Sequence, residues 1–60
     1  MKFFVGDLVT SVGGNFIEGV VLDAKDYDET EQDLTIRWTK SIKGDIDITQ
    51  ERSSDTVRKL

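Results

Sequence analysis

The sequence predicts an all-β protein, a single small barrel or sandwich, and three observations predict it. Apolar residues recur with a period of two, as in Leu34, Ile36 and Trp38 alternating with Thr35 and Arg37, the spacing that turns one strand face inward. Turn-forming residues separate such runs at intervals of about 8–12 residues, as in small β folds. The chain has 60 residues and no proline, so only the smallest such architecture fits, one domain over residues 1–60.

Each element follows in order. Val5 to Val9 reads as the first strand, with Gly6-Asp7 marking a bend or bulge at its start. Gly13-Gly14-Asn15 tolerates positive φ and joins it to the second. There Val20, Leu22 and Ala24 form the inward set, with the side of Val21 left open. The stretch DAKDYDETEQDL, residues 23–34, joins the second strand to the third as an exposed hairpin tip. In the third strand Leu34, Ile36 and Trp38 face the core and Arg37 faces out. Thr39 to Gly44 is the next connection, bent at Gly44. Asp45 to Thr49 is the fourth strand, with Ile46 and Ile48 inward. Ser53-Ser54-Asp55 carries the local hydrogen-bonding side chains of a tight turn or a single 3₁₀ turn. Val57 with Leu60 closes the chain as a short fifth strand. A competing reading makes residues 49–60 a terminal helix, since Gln50, Glu51, Arg52, Arg58 and Lys59 are good helix formers. Only Val57 and Leu60 would supply its apolar face.

Size and composition then bound the function. A chain this short buries about 60% of the surface its unfolded form exposes. The alternation assigns roughly fourteen apolar side chains inward. Such a core leaves no room to enclose a ligand pocket of about 300–1,000 Å³, so function belongs on a surface, groove or loop. The sequence contains neither Cys nor His. That removes disulfides, thiolate metal sites, thiol nucleophiles and the commonest general base. A small domain without disulfides suits a reducing compartment, and the expectation is a soluble, cytoplasmic protein. MKFFV opens like a signal peptide, but Gly6-Asp7 ends its apolar run short of the 7–15 residues an h-region needs. No stretch has the length of a membrane span.

Charge is unevenly placed on a chain whose net charge is −4. Residues 23–33 carry six carboxylates against Lys25 alone. Tested as an EF-hand loop from Asp26, they supply Asp26, Asp28 and Thr30, then Glu31 where the turn glycine belongs and Arg37 where the closing Glu belongs. The expectation is therefore no metal site and no cofactor. Asp45 and Asp47 share a strand face, but nothing there suggests a dry cleft to shift a pKa. Ser11, Ser41, Ser53 and Ser54 have no His partner. The chain reads as a non-enzyme. Arg37, Lys40 and Lys43 form a basic stretch, extended by Arg52, Arg58 and Lys59 if the tail lies nearby, as a patch for phosphates or an acidic protein surface. Phe3 and Phe4 are adjacent, so in an extended segment only one faces inward. Phe3, Phe4, Tyr27, Arg37 and Lys40 are thus the candidate residues for a protein partner. Arg37, Lys40, Lys43, Arg52, Arg58 and Lys59 are those for nucleic acid, which needs phosphate neutralisation.

The segment VGDLVTSVGGNFIEGVVL, through Gly6, Asp7, Val9, Gly14, Gly19 and Val21, resembles the opening of KOW and Tudor-type modules. LTIRW and SSDTVRKL look like the remainder of such a barrel, and the whole is similar to short proteins of tailed bacteriophages. The resemblance implies a single five-stranded antiparallel SH3-like barrel and a non-catalytic interaction module. A phage-type accessory or structural protein, in host cytoplasm or virion, is the implied context. The ligand does not carry over. KOW hairpins are typically basic, whereas this one holds Asp7 and Glu18 without Lys or Arg, and the aromatic cage of methyl-reading Tudor modules is missing. A protein partner is the first expectation; a KOW-like contact with nucleic acid or a ribonucleoprotein is the alternative.

Overall fold

Five antiparallel strands make one sheet in the computed structural model, which describes residues 2–44, 46–54 and 57–60. They are β1 (Leu8–Ser11), β2 (Phe16–Asp26), β3 (Gln32–Ser41), β4 (Asp47–Arg52) and β5 (Val57–Lys59). Their spatial order is β4-β3-β2-β1-β5, so β4 and β5 are the two ends. The all-β expectation holds, and the helical alternative for residues 49–60 gives way to β4 and β5. β4 pairs with β3 from Asp33↔Arg52 to Trp38↔Asp47, and β5 pairs with β1 through Val9↔Lys59 and Ser11↔Val57. That pairing supplies long-range packing that a helix with two apolar side chains would lack.

The start of β1 is set by a turn at residues 4–7. Asp7 N–H donates to the Phe4 carbonyl at 3.0 Å, and the Asp7 carboxylate accepts the Phe4 N–H at 2.8 Å. Gly6 occupies the third position with φ 94°, which a side chain would strain. Gly6 N–H then donates to Val21 O while Val21 N–H donates to Asp7 O. Two residues thus oppose one, the bulge anticipated at Gly6-Asp7.

Phe3, Val9, Val21, Leu34, Ile36, Trp38 and Val57 form the buried core, with Phe16 and Ala24 packed against it. This is smaller than the alternation suggests, and the differences have local causes. On β2 the inward residue is Val21, while Leu22 is 43% exposed. The register with β3 shifts between Val21 and Asp23, so a bulge at Leu22 lets Val21 and Ala24 both face inward, three residues apart. Ile46, just before β4, and Ile48 on it are 68% and 58% exposed, contrary to the expectation that they face inward. Thr49 takes the inward position instead, because its Oγ1 accepts the Trp38 indole N–H at 2.7 Å. A buried indole N–H needs such a partner. Trp38 stacks on Phe16 with centroids 4.9 Å apart.

Gly19 lies opposite Trp38. A Cβ there would stand 2.6 Å from Trp38 Cε3 and 2.8 Å from Ile36 Cγ2. The glycine is what lets the indole lie flat against β2. Gln32, buried at the start of β3, holds the N-terminal segment by accepting Phe3 N–H at 2.8 Å and donating to Phe3 O at 3.0 Å. Phe3 is thereby drawn into the core and Phe4 left 60% exposed, one inward and one outward as adjacency requires.

Candidate interaction face

Where the core takes Val9, Val21, Ile36 and Trp38, the alternate residues point the other way. The pairings Leu8↔Val20, Val20↔Arg37 and Arg37↔Ile48 place these four side by side on β1, β2, β3 and β4. At about 4.8 Å between strands, the row spans roughly 14 Å. Leu60 adjoins it, its N–H donating to Leu8 O at 3.0 Å. Leu8, Ile48 and Leu60 are each more than half exposed. Arg37 sits within this row, and no carboxylate of the described residues lies within ion-pair distance of it. An unpaired guanidinium between aliphatic side chains is suited to a partner offering apolar surface and an acceptor.

The other sequence-predicted residues divide by location. Lys40, on β3, lies opposite Glu18 of β2, and Lys43 is in the turn that follows β3. Arg58 lies opposite Thr10 at the far side of the sheet. β2 and β1 separate β3 from β5, so Arg37 and Lys40 do not adjoin Arg58 and Lys59 along the sheet. Lys59 Nζ is 3.4 Å from Asp7 and 5.6 Å from the ring centroids of both Phe3 and Phe4. Arg52 Nε is 2.8 Å from Asp33, its guanidinium also reaches Glu31, and it stacks 3.6 Å over Tyr27. Tyr27 and Arg52, expected to serve different partners, thus meet each other.

These contacts show what the acidic stretch is. Strands β2 and β3 run to Asp26 and from Gln32, which makes residues 27–31 the tip. Asp28 Oδ1 accepts hydrogen bonds from Thr30 N–H at 2.8 Å, Glu31 N–H at 2.8 Å and Thr30 Oγ1 at 3.0 Å. The two backbone donors, then the hydroxyl, hold the Asp28 carboxyl below its ordinary value. Ser54 Oγ donates to Glu31, and Lys2 pairs with Asp26 at 3.7 Å. Asp28 closes its own loop, and among the described residues no three acidic side chains converge as a metal site. Asp45 lies outside the described residues, so the Asp45–Asp47 pair is not placed; the Asp47 carboxylate accepts Ile48 N–H at 2.8 Å.

Asp7 is similarly engaged. The Phe4 N–H hydrogen bond, followed by Lys59 and against some desolvation, lowers its pKa. Among the described residues no helix is long and apolar enough to cross a membrane. Sequence reasoning placed Arg37 outward but missed Leu8, Val20 and Ile48 beside it. The available signal was the period of two itself, once Val21 and Thr49 are assigned inward. No protein-family model matches the chain, and the searches of curated proteins and of solved structures likewise return no match.

Proposed function

We propose that this chain is a non-catalytic interaction module that binds a protein partner through the outward row Leu8, Val20, Arg37 and Ile48. The carrying observation is the placement of Arg37, uncompensated by any described carboxylate, between the half-buried Val20 and the exposed Ile48. Exposed apolar residues that adjoin one another on one face, with an Arg among them, have the character of an interface core. Lys40 stands three residues along β3 from Arg37, opposite Glu18, and the exposed Phe4 supplies a separate apolar anchor. In this reading the sheet curls into the SH3-like barrel of the KOW and Tudor type. The strand order and the bulged, long β2 support that curvature. The cytoplasmic, phage-type context continues the sequence resemblance.

The test is photo-crosslinking from position 48 in cells that make the protein. A benzophenone side chain there is expected to give a protein adduct of discrete mass, lost on Arg37→Glu and not formed from position 29 of the hairpin tip. Adducts from position 29 alone, or none from position 48, overturn the reading. The nucleic-acid alternative draws on Arg37, Lys40 and Lys43, which are without ion pairs among the described residues. It predicts amide shifts around 37–43 with short single-stranded DNA or RNA, steeply reversed by salt.

A further inference from the structure

The outward row ends at β4, and β4 is a sheet edge. Backbone geometry there follows from two hydrogen bonds. Ser53 N–H donates to Gln32 O at 2.9 Å, which makes Gln32 and Ser53 a hydrogen-bonded pair in the β3–β4 register. Counting back along that register, Glu51 and Thr49 also direct their N–H and C=O groups to β3. Ile48 and Gln50 direct theirs away from it. Consistently, Ile48 N–H is taken by the Asp47 carboxylate and not by β3. Gln50 therefore presents a donor and an acceptor along the open edge.

Of the usual defences of an edge, β4 keeps inward-facing carboxylates, Asp47 and Glu51, which oppose an apolar strand and leave the edge to a basic one. β4 is six residues long, DITQER, with no proline, glycine or lysine. Its register with β3 runs without a shift, unlike that of β2 with β3. The opposite edge, β5, has only three residues. A regular edge with unpaired backbone groups is a template for another strand. Side chains on the two faces of β4 state what that strand would carry. On the outward face Ile48 ends the apolar row. On the inward face Asp47 and Glu51 flank Thr49 and form no ion pair among the described residues.

We infer that the open edge of β4 is a strand-addition site for an extended partner segment that alternates apolar with basic side chains. Its apolar residues continue the row beyond Ile48 and its basic residues face Asp47 and Glu51. The inference deepens the protein-binding reading above and rests on it. Main-chain bonds to Gln50 supply affinity, and the two side-chain faces supply selectivity.

The probe is an end-capped eight-residue peptide of alternating valine and lysine, titrated into the labelled protein and followed by amide NMR and hydrogen exchange. The expected result is a shift and slowed exchange at Gln50, lost when alternate peptide amides are N-methylated. Gln50→Pro removes the edge N–H without touching the β3 ladder, and should weaken binding roughly tenfold. A circular-dichroism melt verifies that this variant folds, and the N-methylated peptide tests the same bond in the unaltered protein. Equal binding by a valine–glutamate peptide overturns the basic requirement. Shifts confined to Leu8, Val20 and Arg37, and reproduced by the N-methylated peptide, overturn strand addition while leaving the face reading intact. No response at millimolar peptide also overturns it. A dimer seen by light scattering without peptide, with Gln50 protected, assigns the edge to a second copy and overturns the partner assignment. Failure of the face reading is registered separately, by the crosslink from position 48.

Discussion

Gly19 and Asp7 belong to the resembling sequence pattern, and the structure gives each a physical task. Adding a methyl at Gly19 forces the Trp38 indole, the Ile36 methyl or the Arg37 carbonyl to move, since the latter lies 3.0 Å from the added Cβ. Gly19→Ala should therefore destabilise the protein by about 1–3 kcal/mol, the usual penalty for overpacking, measured by urea unfolding with Trp38 fluorescence as the probe. Asp7 contributes through charge. Its carboxyl has a lower pKa when folded, first because Phe4 N–H donates to it and then because Lys59 is close. A group of this kind adds stability fully above its unfolded value, and the contribution disappears as pH falls through the lower folded value. The stability gap between wild type and Asp7→Asn should be widest near pH 6 and narrow steadily below about pH 4. A gap independent of pH would mean that ionisation of Asp7 is immaterial. Gly6, Gly14 and Gly19 look alike in the sequence. Yet Gly6 is required by φ and Gly19 by the indole, whereas a Cβ at Gly14 would meet only the Ser11 hydroxyl, which can rotate away, a distinction only tertiary neighbours make.

At the scale of elements, all five strands were legible in order, because the period of two survives in short stretches wherever one face is buried, but the first begins at Leu8 and not at Val5, which lies in the turn at residues 4–7. Which face was less so. β3 was assigned correctly since three large apolar residues occupy one side. β2 and β4 were not, for different reasons. A bulge resets the alternation on β2, and a hydroxyl on β4 serves the core better than an isoleucine because it satisfies the indole. Neither can be seen in hydrophobicity alone. Trp38→Phe removes that hydrogen bond and leaves Thr49 facing an apolar ring. The expected loss is about 2–4 kcal/mol, since the smaller ring also leaves a cavity in the core, and chemical denaturation provides the measurement. Gln32 joins two elements: its side chain serves Phe3 and its N–H donates to Ser53 Oγ at 2.9 Å. Gln32→Ala orphans the Phe3 N–H and C=O. Hydrogen exchange at Phe3 should accelerate well before the strands lose protection, because local opening no longer breaks these two bonds. If Phe3 and the β3 amides exchange together, the segment is held by its ring alone.

Across the molecule, seven apolar residues hold the core among the described residues, while on the other side Val20 and Ile48 flank Arg37 and Leu8 and Leu60 continue the row beyond Val20. The acidic hairpin, which dominates the sequence to the eye, is tied internally by Asp28, Glu31, Arg52 and Tyr27. The protein-binding reading thus turns on a face that is quieter in sequence. Its chemistry was partly visible through Arg37 and Lys40, whereas its apolar members emerge only when strands are laid in register. Charge reversal at Arg37 should leave folding within about 0.5 kcal/mol of wild type, as expected for a surface side chain outside any described ion pair. The division between a core that holds the fold and a row that does not is the central claim. The most direct measurement is the urea unfolding free energy of the Leu8→Lys, Ile48→Lys double variant. A value within about 0.5 kcal/mol of wild type is predicted, because neither side chain is packed in the core. A loss of about 2 kcal/mol or more, the scale of a buried aliphatic side chain, would place the row in the fold's own core and contradict the claim.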